Sequence, residues 1–338
     1  MPHMSGFRFF VLLHTALLCV PSMVKADPLQ APQPNPTVRV SPADEAWTAT
    51  QAEHVYGLAE IKPHKKGTLT LSAEGLTFTA KSGSVAIPRN SILAVSAGNQ
   101  RVEMWGMTGR VMRMAIPDNG GLAVAAFAHH RIDMLTVEFS DSRGGSHSAI
   151  FFLGANQAEQ AIQRFALEPK EARASKTPPC QIAVSEPGSM LVAAPDWTGT
   201  QVPAVYQGLV YEHLVERFRK AKSLTHVYRD GESTAEGLCP QYVVHLSVIS
   251  FKEGSSVKRA MLGPAGMFVG TTQMVFNMEL SDGTAKTDTK EQVKATIRGE
   301  SESTNVADKV AKTLEKKYEK VVKTNEKKAH SSPHVAKS

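Results

Sequence analysis

The chain has 338 residues, 42% of them hydrophobic and 21% charged, which is ordinary for folded globular protein and excludes a fibrous or wholly disordered chain. Its formal net charge is +6, and the excess is local: from Lys309 onward nine Lys stand against three Glu. The remainder is close to neutral, which excludes the broad basic face that nucleic-acid binding requires.

In chain order, Arg8 precedes the apolar run Phe9–Val20, which ends at Pro21. That run is too short to span a bilayer, which takes about 20 residues. Val24-Lys25-Ala26 offers a small residue at a cut site, so residues 1–26 read as a signal peptide and Asp27 as the mature N-terminus. Leu18 before Cys19 does not fit a lipidation signal. The expected location is therefore periplasmic or secreted. Cleavage removes Cys19 and leaves Cys180 and Cys239, a pair that an oxidising compartment lets close into a disulfide.

Residues 27–55 read as a leader, extended where Pro28, Pro32, Pro34, Pro36 and Pro42 fall. A first domain is expected over 56–167. Thr68–Leu71 and Leu76–Thr79 alternate around a turn at Ala73-Glu74-Gly75. Strands follow at 85–88, 92–95, 102–105 and 111–116. Leu135–Phe139 and Ala149–Leu153 flank the turn Asp141–Gly145. A helix closes the segment, with Ala158, Ala161, Ile162 and Phe165 on one face and Asn156 as its N-cap. Strand count, closing helix and the opening pattern Gly67, Leu69, Leu71, Gly75, Leu76, Phe78 resemble the pleckstrin-homology and GRAM-like families. The resemblance implies a β-barrel closed by a C-terminal helix. The first hairpin turn, Ser72–Gly75, has none of the basic residues that lipid-binding members carry there.

Residues 168–179 are polar and contain Pro169, Pro178 and Pro179, so they read as a linker that leaves the barrel able to fold alone. A second domain is expected over 180–322. It begins with a strand at 181–184 and a helix after Pro203, whose stripe is Val205, Tyr206, Leu209, Val210, Leu214 and Phe218. Strands follow at 224–228, 242–251, 271–280 and 291–298. A closing helix repeats Val306, Val310, Leu314, Tyr318 and Val322 every four residues, with Lys outside. The tail 323–338 reads as a disordered basic segment. Ile249-Ser250-Phe251, Glu253-Gly254, Lys258-Arg259, Gly263, Gly266, Gly270 and Asp282-Gly283, in β-α-β-β-β-β-α order, resemble a bacterial family of secreted proteins and lipoproteins similar in fold to the curli-secretion lipoprotein domain. The resemblance implies an envelope role without established chemistry. The fold class is thus α+β, a barrel with a C-terminal helix followed by an α/β sandwich-type domain with a mixed or antiparallel sheet.

The glycine-rich segment 254–270 holds no G-x-x-x-x-G-K-[ST], because neither Gly266 nor Gly270 precedes Lys, so it does not read as a phosphate loop. His129 and His130, read on a helix, would point apart. His147, His213, His226 and His245 are scattered and read as structural. Neither G-x-S-x-G nor S-x-x-K in a suitable setting is present. The expectation is a non-enzymatic envelope protein, without cofactor or metal, that binds an envelope protein or itself. Its contact surface is the long connection with Lys258, Arg259, Met261, Leu262, Met267 and Phe268, where Met side chains re-pack readily. Two rival classes are a hydrolase with a site between the domains and a module attached to an anionic membrane or cell-wall surface by the basic C-terminal helix.

Overall fold

The computed structural model describes residues 46–103, 129–165, 184–234, 238–254, 272–283, 287–297 and 303–331. The fold is α+β, with two sheets. The first follows from period-2 alternation in β2 (Lys65–Ser72), β3 (Gly75–Ala80) and β4 (Gly83–Pro88), an antiparallel meander that buries Leu69, Leu71, Leu76 and Phe78. β5 (Ile92–Glu103), β6 (His129–Ser140) and β7 (Ser146–Leu153) form a second antiparallel meander. β1 (Trp47–Tyr56) joins the two, giving the order β4-β3-β2-β1-β7-β6-β5. Its register against β2 shifts between Thr50 and Ala52, where Gln51 takes φ 67°, and beyond this bulge Glu53 and His54 are flanked by both β2 and β7.

β1 lies inside the stretch read as leader, so the sheet's central strand precedes the expected domain start. His129 and His130 stand on a strand, not a helix. β5 is one continuous strand through residue 103, and the strand expected at 111–116 lies outside the described residues. After β7 comes α1 (Gln157–Phe165), which buries Ala158, Ala161 and Phe165. Asn156 immediately precedes the helix with φ 63°, and its carbonyl accepts the Gln160 N–H. Arg89 Nη2 donates to the Phe165 carbonyl at 2.7 Å, which satisfies an acceptor at the helix end.

The second sheet has the order β12-β11-β10-β8-β9. β8 (Ser185–Val192) and β9 (His226–Arg229) are parallel neighbours joined through α2 (Ala204–Lys220), and β10 (Cys239–Lys252) lies parallel to β8. β11 (Thr272–Asp282) and β12 (Thr287–Ile297) complete it in antiparallel register. β8 spans Ser185–Val192; of the strand expected at 181–184 only Val184 is among the described residues, and it immediately precedes β8. α3 (Ser303–Ser331) buries Val306, Val310, Leu314, Tyr318 and Val322, the expected stripe. It continues through Ser331, so the first part of the expected tail is helical.

α2 explains how the sheets meet. It is buried almost all round, because Gly208, Tyr211, Glu212 and Val215 are covered as well as its main apolar stripe. Val55, Met134, Ile150 and Phe152 of the first sheet belong to the same core cluster as α2, β10, β11 and α3. A second cluster, centred on Leu69, Phe78, Leu135 and Phe151, lies within the first sheet and α1. Among the described residues the two sheets thus share a core through α2.

Candidate functional site

Among the described residues, a cluster of ionisable side chains lies where the β6–β7 turn meets α2 and the end of β9. Arg229, at the last position of β9, donates from Nη1 and Nη2 to the two carboxylate oxygens of Glu212, each at 2.8 Å. The fork geometry of guanidinium on carboxylate makes this a strong charge-assisted pair. Arg229 Nη1 also donates to the Ser146 carbonyl at 3.0 Å, while Glu212 Oε1 accepts the Ser148 N–H at 2.9 Å. Glu212 on α2 is therefore held by β7 on one side and β9 on the other, with its side chain 3% exposed. Burial works against the Arg229 charge, but Glu212 overcomes that and raises its pKa above the ordinary value.

The turn before β7 extends this network. Asp141 Oδ1 accepts the N–H groups of Arg143 and Gly145, at 2.9 and 2.8 Å, and Oδ2 accepts from His147 Nε2 at 3.1 Å. Burial pushes the Asp141 carboxyl up, and these bonds outweigh it and hold it below the usual range. The His147 pKa is lowered, by burial and then by the Arg229 charge, against the pull of Glu212 and Asp141. Arg143 Nη2 reaches Glu232 Oε1 at 2.9 Å, and the Arg143 carbonyl accepts the Ser233 N–H. Gly144, at φ +86°, passes so close to the Gly231 carbonyl that an added Cβ would lie 2.6 Å from it. Tyr211 accepts the Asp230 N–H and donates to the Val192 carbonyl, linking α2 to both β8 and β9.

A second polar junction lies on the α3 side of α2. Arg217 donates to Asp308 at 3.1 and 2.6 Å and to Glu315 at 3.1 Å. His213 stacks on Tyr56 of β1 with ring centroids 4.1 Å apart, and its Nδ1 lies 3.9 Å from Asp308. Burial lowers the His213 pKa to about 4. His54, fully buried on β1, also falls to about 4 through burial. Its Nε2 accepts the Leu58 N–H at 3.1 Å and its Nδ1 faces the Lys62 carbonyl at 3.4 Å, an arrangement for a neutral imidazole with the proton on Nδ1.

These groups are tied to one another and to the backbone, so their arrangement suits them to fastening the sheets rather than to meeting a substrate. Where the two expected domains meet, α2 packs on β7 and β6. Of two further hollows, one of about 90 Å³ lies between Gly98, Thr136, Tyr206 and Glu253. The other, of about 280 Å³, is a surface groove with Asp133 and Glu159 as its charged lining. Among the described residues, no group of three or more His, Cys, Asp or Glu could hold a metal ion, and no helix is long and apolar enough to cross a membrane.

The contact residues expected from sequence, Lys258, Arg259, Met261, Leu262, Met267 and Phe268, lie outside the described residues, as does Cys180. What is described is the root of that connection: β10 and β11 pair up to Lys252 and Gln273, and the Gly254 N–H donates to Thr272 Oγ1 at 3.0 Å. Cys239 is buried at the start of β10, opposite Ser185 of β8. Sequence reasoning missed Glu212, Arg229, Asp141 and Arg143 as one cluster. The available cues were Gly208, Tyr211 and Val215, small or apolar residues on a second face of α2.

No protein-family model and no curated protein matches the chain. Among solved structures, a PelC dodecamer from Paraburkholderia phytofirmans is similar at 16% identity and TM-score 0.24, over 40% of this chain and 89% of that one. A Xanthomonas campestris protein of the DUF330 family matches at 14% identity and TM-score 0.27, over 46% of this chain and 94% of that one.

Proposed function

We propose that the chain is an exported envelope protein that works by binding a partner, with its two sheets locked into one rigid platform. The observation that carries this reading is the use of the main ionisable cluster. Arg229 and Glu212 are buried, paired and bonded to the β7 backbone, which spends their charge on joining the sheets. A joined platform then presents the long connection after β10, whose root is fixed by the β10–β11 ladder. In this reading the signal peptide ends at Ala26, and Cys180 closes with Cys239 in the oxidising compartment. The first sheet, with seven strands followed by α1, belongs to the pleckstrin-homology type and serves as a support for α2. Lys258, Arg259, Met261, Leu262, Met267 and Phe268 make the contact, with an envelope protein or a second copy of the chain.

The test is in-cell crosslinking of the exported protein with Met267 and Phe268 replaced by Ser. Loss of a discrete crosslinked species at unchanged melting temperature is the expected result. A melting temperature lowered by many degrees would make these residues core and end the proposal.

A further inference from the structure

We propose that the outward face of α3 is a docking track for a linear anionic glycan. Among the residues of this helix between positions 309 and 327 whose side chains are described, the exposed ones are Lys309, Lys312, Lys316, Lys320, Lys323, Thr324 and Lys327. At spacings of three and four, the six lysines fall on one stripe roughly 80° wide and about 27 Å long. The helix also carries acidic residues, but the fold removes two of them from competition: Asp308 and Glu315 are bound by Arg217 of α2. Lys317, off the stripe, pairs with Glu291. None of the six stripe lysines makes an ion pair among the described residues, so the row faces outward with its charge unspent.

The shape of the row selects its occupant. One cation per roughly 5 Å is far sparser than the phosphates of duplex nucleic acid, at about 1.7 Å per charge. It suits a polymer with one anion per sugar-sized repeat. A helix lying on a membrane carries large apolar side chains beside its cations; here, among the described side chains, the exposed neighbours of the lysines are Asn305 and Thr324. Glu319, which Arg217 does not hold, lies on one flank, where a planar anionic surface would meet it and a single chain following the row would not. Lysine supplies point charges without a fixed fork, which fits sliding register along a repeating polymer. This inference stands apart from the binding role assigned to the 255–271 connection, because it concerns a different surface and either can fail alone.

The experiment measures binding of the purified exported protein to polygalacturonate at several salt concentrations. Neutral dextran, polyuridylate and vesicles of equimolar phosphatidylglycerol and phosphatidylcholine are run in parallel. Binding to polygalacturonate should weaken steeply with salt, and dextran should not bind. The triple variant Lys312→Gln, Lys316→Gln, Lys320→Gln should lose about tenfold or more in affinity and flatten the salt dependence. The pair Lys290→Gln, Lys294→Gln on β12 should stay within about twofold. Circular dichroism checks that α3 persists, and Lys316→Gln alone should show a smaller loss in the same direction. The proposal is overturned by absent binding at low salt, by equal losses in the α3 and β12 variants, or by tighter binding to vesicles or polyuridylate than to the glycan.

Discussion

α2 meets the two sheets in different ways. Toward the second sheet and α3 it offers mainly rings and aliphatic groups, beside the half-exposed Arg217 ion pairs: Tyr206 lies 5.4 Å from Phe251 and Phe218 lies 5.2 Å from Tyr318, centroid to centroid. Toward β7 it offers Gly208 and Glu212, and the contact is closed by Arg229 and backbone N–H groups. The apolar side gains from area removed from water and tolerates small changes in shape. The polar side has no such latitude, since a buried charge without its partner costs far more than the pair contributes.

Breaking the polar side should therefore have the largest effect. Arg229→Met leaves the Glu212 carboxylate buried without its cation and should cost about 3–5 kcal/mol of stability in denaturant unfolding. Adding Glu212→Gln, which keeps an acceptor for the Ser148 N–H, should recover most of that loss. If Arg229→Met alone unfolds like the parent, the junction does not hold the sheets. On the apolar side, Phe218→Ala should cost about 3–4 kcal/mol by cavity formation. No second substitution at a charged position should rescue it, and that difference separates the two kinds of contact.

The same contrast decided what the sequence made legible. β2, β3, β10 and β11 alternate over many residues, and the stripes of α2 and α3 repeat at helical spacing, so those elements were readable. β1 was not, because its buried residues are Ala49, Ala52, His54 and Val55, and the bulge at Gln51 breaks the period of two. β8 has no alternating pattern: Pro187 and Gly188 interrupt it, and only Met190–Val192 form an apolar run. Glu212 reads as a solvent-facing helix residue. Its partners Arg229 and Ser148 lie 17 and 64 positions away, and nothing local announces such a pairing. Of the expected contact surface only the root at Gly254 and Thr272 can be placed.

Two buried imidazoles sharpen the comparison through pH. His54 lies within the first sheet and His213 lies where β1, α2 and α3 meet, each with a pKa of about 4 against 6.5 when unfolded. Both bind a proton more weakly when folded. Their contribution is complete above pH 6.5 and is lost as the pH falls from 6.5 toward 4, by up to about 3 kcal/mol each. Protonating His54 also takes away the acceptor of the Leu58 N–H. Around His213, Asp308 and Glu212 favour the proton while Arg217 and Lys220 oppose it. Melting temperature should fall across that window, and His213→Phe, which retains the stack on Tyr56, should make the fall shallower. An unchanged slope in the variant would place the acid sensitivity elsewhere.

The smallest effect is expected where α2 approaches β7 most closely. A Cβ on Gly208 would lie 2.8 Å from the Ser148 Cβ and 3.5 Å from Ile150 Cδ1. The first of these atoms is anchored directly to the β7 backbone, so it cannot swing aside as the end of a long side chain would. Gly208→Ala gains about 1 kcal/mol of helix propensity, yet forcing the helix away from β7 costs about 1–3 kcal/mol. Glu212 lies one turn further along the same face, and moving α2 outward would stretch its bond to the Ser148 N–H, so the steric cost should win. The net loss should be about 1 kcal/mol in denaturant unfolding. A double-mutant cycle with Ser148→Gly isolates the contact: removing the opposing Cβ should make Gly208→Ala less harmful, with a coupling of about 0.5 kcal/mol or more. Strictly additive losses would mean that α2 has room to move on β7, and that the polar side is as adaptable as the apolar one.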